Sequence, residues 1–219
     1  MARMARLVAP GFPHHAIQRG NRRQTTFYNE SDYRRYFELL VESKARSGVE
    51  ILAYCFMPNH VHLVVVPEHD DSLRQFFSES HRQYTRRINS RFNWRGHLWQ
   101  ERFHSYVMNE NHLLMAVRYI EQNPVRARLC EAPDQWRWSS VHAHLRRQDD
   151  DLVSVSPMLD RIANWKTYLQ AEHSSEAEII RTHTKTGRPS DEESFLTRLE
   201  LLTGRDLHRK RMGRPPGKK

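Results

Sequence analysis

Apolar and polar positions alternate from His14 to Arg19 and stop at Gly20-Asn21, a turn-forming pair, which predicts a strand. From residue 31 to 47 the period lengthens: Tyr33, Tyr36, Phe37 and Leu40 share one helical face, and Gly48 stands where a C′ glycine belongs. Residues 50–56 are rich in strand formers, Pro58-Asn59 makes a turn, and 60–66 continue as a second strand, so the two predict a hairpin. Residues 72–91 are amphipathic, with Leu73, Phe76, Phe77, Ser80, Tyr84 and Ile88 inward. Residues 97–108 alternate loosely and read as a strand. Residues 111–122 place Leu113, Val117 and Ile120 on one helical face, and Pro124 disfavours helix at Asn123.

The resulting order, β-α-β-β-α-β-α, is that of an α+β, ferredoxin-like fold with an added helix: an antiparallel sheet with helices on one face, the other face being free for a site. Beyond residue 148 the pattern weakens, although 157–170 and 192–202 have helical character. The chain is therefore divided into a domain at 1–145, a helical or linker extension at 146–180, and a basic C-terminal tail at 181–219. The tail carries Gly187-Arg188-Pro189 and Gly213-Arg214-Pro215 and reads as mobile rather than folded.

Composition narrows the class. The 219 residues carry 35 Lys+Arg against 26 Asp+Glu, a net charge of +9. The excess is terminal: residues 1–30 are net +4 and 181–219 net +6, while 72–130 hold 10 Arg and four acids. That segregation points to a basic surface with basic arms, suited to a polyanion. An ordinary solvated basic surface fits charge alone as well. With 9 Phe, 8 Tyr and 5 Trp the chain can build a core, despite only 38% hydrophobic residues. Its longest apolar run, 51–57, is far short of the roughly 18 residues of a membrane span. No signal peptide is evident at the start, and two cysteines exclude a disulfide framework or a multi-cysteine zinc site. A soluble, cytoplasmic protein is expected, with no membrane partner.

The sharpest chemical feature is His60-Val61-His62. On a strand, i and i+2 share a face, so both imidazoles can converge on one ion. The spacing alone is weak, because 14 His in 219 residues give roughly one His-x-His by chance. A half-buried strand pair without a ligand fits it too. The second such pair, His142 and His144, follows a helix start, where i and i+2 diverge, and is taken as a bystander. The helix at 111–122 offers Tyr119 and, one turn on, Asn123. A tyrosine beside a divalent cation can attack phosphorus and conserve the bond energy in a covalent intermediate. Tyr54, Tyr84 and Tyr106 are not excluded by pattern, and a packed helix tyrosine is the commoner role. No phosphate-cradling Gly-rich loop is present, so strand chemistry here does not point to ATP.

The stretch 57–65, MPNHVHLVV, resembles the metal-binding core of HUH-type single-tyrosine transposases. With 96–103 (GHLWQERF), 118–127 (RYIEQNPVRA) and 136–140 (WRWSS), the chain is similar to the REP-associated tyrosine transposases over about residues 14–145. The resemblance implies a ferredoxin-like domain acting on single-stranded DNA that folds into hairpins. It implies His60 and His62 as ligands of a divalent metal ion, Mg²⁺ or Mn²⁺, and Tyr119 as the nucleophile that leaves a 5′-phosphotyrosine and a free 3′-OH. The third ligand falls on Asn123, where small insertion-sequence relatives carry Gln, with Gln122 beside it. It further implies a nucleoid-associated protein acting as a monomer, a dimer being the alternative. A hairpin-binding protein without turnover and a water-using metal nuclease on the same fold are the competing functions.

For DNA contacts, Arg82, Arg86, Arg87 and Arg91 form the expected phosphate row on one edge of a helix. Arg22 and Arg23, after the turn, are placed to reach flanking single strand. Phe92 and Trp94 offer faces for unpaired bases, core packing being the alternative. Arg188 and Arg214 lie in the Gly-Arg-Pro units of the tail, which are similar to an AT-hook core.

Overall fold

The structure is a computed structural model and describes residues 5–171 and 176–208. Four strands, β1 (His14–Arg19), β2 (Val49–Met57), β3 (His60–Pro67) and β4 (His104–Val107), form one sheet in the order β2-β3-β1-β4. Every pairing is antiparallel. Between the strands lie α1 (Glu30–Ser47) and α2 (Ser72–Phe92). After β4 come α3 (Glu110–Glu121), α4 (Asn123–Arg126), α5 (Val141–Arg146), α6 (Ser156–Leu159), α7 (Trp165–Gln170), α8 (Glu176–Thr186) and α9 (Glu193–Thr203). The ferredoxin-like α+β arrangement expected from the sequence is present.

Local chemistry explains the boundaries. Asn29 caps α1 by accepting from the Asp32 N–H, and Gly48 ends it at φ 58°, ψ 52°, a left-handed conformation that a side chain disfavours. Asn109 caps α3 in the same way through the His112 N–H. Ile51 and Tyr54 point to one side of β2 while Leu52 and Ala53 both point to the other, because the β2–β3 register shifts between Ile51 and Ala53. Without that bulge, Cys55 and Met57 would leave the face that carries the two histidines of β3.

The strands divide two cores. Ala16, Ile51, Tyr54, Phe56, Val61, Leu63 and Val65 pack against α1 and α2 around Tyr36, Phe76 and Tyr84. Leu52, Ala53, Cys55, Met57, Val64 and Tyr106 pack on the opposite face against Leu113, Ala116, Val117 and Ile120 of α3. The two helices of the ferredoxin-like core thus sit together on one face, but the face expected to be free is covered by α3. Val141 joins this second core, as do Met158, Trp165, Leu169 and Ile180 of the extension, so the described residues of 146–180 form a helical extension that packs on the sheet.

Three further expectations change. Only His104–Val107 of the 97–108 stretch is a strand. Its earlier apolar residues, Leu98, Trp99 and Phe103, are buried against the α2 aromatics, with a single bridge from Trp99 to Gly20. Asn123 is helical, because the chain breaks at Gln122 and restarts α4, where Pro124 occupies an early position that needs no N–H donor. The segment from 181 is folded as far as residue 208. Phe195, Leu196 and Leu199 of α9 and Leu207 bury against Leu7, Ala9 and Val107, at a spacing that makes one helical face. The unit containing Arg214 lies outside the described residues. No described helix is long and apolar enough to cross a membrane.

Candidate active site

Register in the sheet places the site. Direct cross-strand partners share a face, and β3 pairs His60 with Arg19, His62 with Ile17 and Val64 with His15. His15 in turn faces Tyr106 across β4. His60, His62, Arg19, His15 and Tyr106 therefore lie together on the α3 side. The rings of His60 and His62 are 4.9 Å apart between centroids, with planes at 79°. Tyr119, half-buried on α3, is 5.8 Å from the His62 ring and 6.5 Å from that of His15.

Each histidine has one nitrogen occupied. His60 Nδ1 donates to Asn59 Oδ1 at 2.6 Å, which leaves the Nε2 lone pair directed toward the Asn123 amide, 3.4 Å away. His62 Nδ1 is 2.9 Å from His15 Nε2, and His15 Nδ1 is 3.1 Å from the Tyr106 hydroxyl. When His62 presents Nε2 to an ion, its Nδ1–H donates to His15, and His15 donates onward to the Tyr106 oxygen. Metal-binding histidines are oriented by such partners behind them. Both imidazoles are neutral at pH 7. Burial, helped by the charge of Arg19, lowers the pKa of His60 to about 3, and burial followed by His60 holds that of His62 well below its usual value.

Two neutral imidazoles and one carboxamide suit a divalent ion that accepts nitrogen and oxygen. Turning the Asn123 amide by 180° places Oδ1 at the position facing His60. Asn123 sits here because α4 restarts directly after α3. Gln122 faces away, donating to the Leu169 carbonyl at 2.6 Å. Of the two neighbouring amides, only Asn123 meets His60.

Two arginines that sequence reasoning missed complete the site. The Arg126 guanidinium carbon is 3.9 Å from the Tyr119 ring centroid, and the same group donates to the Tyr119 carbonyl. Arg19, half-buried across from His60, acts electrostatically on both His60 and Tyr119. Arg19 and His15 share a strand face at i and i+4, a signal readable in the sequence, but only the β1–β3 register shows which face it is.

Behind Tyr119, Glu121 is a buried hub. It accepts from Ser140 Oγ at 2.6 Å, His144 Nδ1 at 2.7 Å and Trp165 Nε1 at 2.8 Å. These bonds tie the end of α3 to α5 and α7 and give His144 its role, structural as expected. His142 bonds the Trp136 carbonyl, away from the two strand histidines.

The remaining basic residues divide. Arg22 and Arg23 are exposed in the 3₁₀ turn that follows β1, both at positive φ, and the Asn59 side chain donates to the Arg23 carbonyl, so this turn borders the site. Arg82, Arg86 and Arg87 line α2, across the sheet from Tyr119, and Arg82 forks onto Glu79. Arg91 leaves the expected row: both terminal nitrogens bind the buried Asp32 carboxylate, at 2.6 and 2.8 Å. Arg188 bonds the Leu207 carbonyl and ties together the segments flanking α9.

A strand histidine pair facing a helix tyrosine, on a four-stranded antiparallel sheet, is the architecture of the single-tyrosine transposases. The family model described as IS200-like transposase matches residues 11–123, just over half the chain, from before β1 to Asn123 itself. The chain belongs to the IS200-like transposase family. It is 28% identical over 110 residues to a Haemophilus influenzae protein described as a REP-associated tyrosine transposase. That match covers 45% of this chain and 62% of the relative's length. The fold is similar to that of a REP-associated tyrosine transposase solved bound to a REP hairpin. There the TM-score is 0.59 at 22% identity, over 71% of this chain and 96% of that one.

Proposed function

We propose that this protein is a metal-dependent single-stranded DNA transposase that nicks and rejoins DNA at hairpins of the REP type through a 5′-phosphotyrosine intermediate. The observation that carries this is the convergence of Tyr119 with the free nitrogens of His60 and His62 and the amide of Asn123. The H. influenzae relative and the hairpin-bound neighbour support the choice of substrate.

His60, His62 and Asn123 would hold Mg²⁺ or Mn²⁺, which supplies charge neutralisation at the scissile phosphate. Tyr119 Oη loses its proton and attacks phosphorus, the bond to the 3′ oxygen breaks, and that oxygen takes up a proton. One phosphodiester is exchanged for one phosphotyrosine, so a 3′-OH can later reverse the step and rejoin the strand. Arg126 over the Tyr119 ring and Arg19 across from His60 set positive charge where the anionic phosphate would lie. The Glu121 hub fixes the end of α3, and with it the direction of Tyr119. One chain supplies all these groups, which supports action as a monomer.

The test is a denaturing gel of a labelled single-stranded hairpin with flanks, incubated with Mn²⁺ and either wild type or Tyr119→Phe. A covalent adduct with wild type alone is expected. Cleavage without an adduct would replace the tyrosine with a water nucleophile, and binding without cleavage would leave a hairpin-binding protein.

A further inference from the structure

Among the described residues, the aromatic side chains most open to solvent are Tyr28, Phe92 and Trp94, at 37–43% exposure. They touch one another. Phe92 and Trp94 stack with centroids 4.7 Å apart and planes at 23°, and Tyr28 lies 4.7 Å from Phe92 and 6.2 Å from Trp94. Apolar rings scattered singly on a surface need no explanation, but a contiguous exposed set marks an interaction site.

The cluster is held rigidly. Arg91, pinned by the buried Asp32, lies 4.6 Å from the Phe92 centroid and 5.5 Å from that of Tyr28. The same Asp32 carboxylate accepts the Tyr28 N–H at 2.9 Å. Asn93, in the left-handed conformation, ends α2 and turns Trp94 back onto Phe92. The Trp94 N–H returns to the Asn89 carbonyl, while the Asn89 side chain donates to the Gly96 carbonyl. Such an arrangement presents ring faces at little entropic cost.

Two features specify the occupant. Residues 86–100 carry Arg86, Arg87 and Arg95 and no acid, besides Arg91, whose charge Asp32 balances, so the ligand is anionic as well as flat. The segments that carry the cluster are also bonded to ones that border the candidate site. Thr26 and Phe27, next to Tyr28, donate to the Pro58 carbonyl in the turn leading to His60, and Asn21 and Gln100 bond across between the 97–103 segment and the end of β1.

We infer that Tyr28, Phe92 and Trp94 form a stacking platform for unpaired nucleobases of the single strand flanking the hairpin. This rests on the DNA reading above. Base–aromatic stacking tolerates any sequence, so the platform would hold the strand in place without selecting it.

The test compares two probes, a hairpin with an eight-nucleotide single-stranded flank and the same hairpin cut blunt, bound by wild type, Trp94→Ala, Phe92→Ala and Arg95→Ala. Both aromatic variants lose an exposed side chain, and a thermal melt verifies their fold. Trp94→Ala should weaken binding of the flanked hairpin by about five- to a hundredfold, leave the blunt hairpin unchanged and keep the salt slope. Arg95→Ala should instead flatten the salt slope of the flanked probe by about one. Equal affinities for wild type and both aromatic variants, or equal losses on the two probes, would overturn the platform alone. So would a wild-type dimer that Trp94→Ala dissociates, because a second copy would then cover the rings. Failure of wild type to bind either probe would overturn the platform and the DNA reading together.

Discussion

Replacing His15 with Leu tests the metal site from behind. His15 is fully buried behind the site and, among the described residues, is the partner that meets His62 Nδ1, at 2.9 Å. Leucine fills the volume and removes the acceptor. His62 then loses the partner that fixes its tautomer and ring direction, a loss that typically costs 10- to 100-fold in metal affinity. A second cost falls on stability: the buried Tyr106 hydroxyl, 3.1 Å from His15 Nδ1, is left without that partner, at about 1–3 kcal/mol. Isothermal titration with Mn²⁺ reads the first effect without DNA, and urea unfolding reads the second. His15→Gln, whose amide oxygen can still accept from His62, should recover part of the affinity. Tyr106→Phe removes only the far end of the relay and should change affinity less than His15→Leu does. A folded His15→Leu protein that binds Mn²⁺ within twofold of wild type would refute the assignment of His62 Nε2 as a ligand.

Other outcomes follow from the same geometry. Burial lowers the pKa of His14 to about 4 and of His15 to about 3, below the 6.5 of the unfolded chain. Unfolding therefore takes up protons in acid, so this stability is complete above pH 6.5 and is lost as pH falls toward 4. At pH 5 each of the two accounts for at most about 2 kcal/mol, and urea midpoints at pH 7.5, 6 and 5 that did not fall would contradict it. Glu121→Gln keeps the shape but puts an amide N–H₂ among three donors, and should cost about 1–3 kcal/mol in a thermal or urea melt. Arg126→Ala should slow adduct formation by about 2- to 30-fold at saturating DNA, the worth of a cation over the Tyr119 ring. An unchanged rate would show that Arg126 serves only to close the turn between α3 and α4.

Much of the architecture was legible as periodicity. The helix at 31–47, the hairpin across Pro58-Asn59 and the helix at 72–91 are strongly patterned, and their caps are carried by local residues such as Asn29 and Gly48. The pair His60 and His62 share a face because strands repeat every two residues, and Tyr119 stands on a helix whose apolar stripe runs through Leu113, Val117 and Ile120. These properties belong to the chain within a few residues, and no neighbour is needed to establish them.

Tertiary structure decided the rest, because it depends on which distant segments meet. Nothing near Arg19 or His15 in the chain shows that β1 pairs with β3 in the register that sets them beside His60 and His62. Gln122 and Asn123 are adjacent amides in sequence, and the break between α3 and α4 turns one to Leu169 and the other to His60. Arg91 has the spacing of an exposed basic row, but a buried carboxylate 59 residues away claims it and turns it into the brace of an aromatic cluster. A residue's side of an element is a local property; its partner is set by packing between elements far apart in sequence.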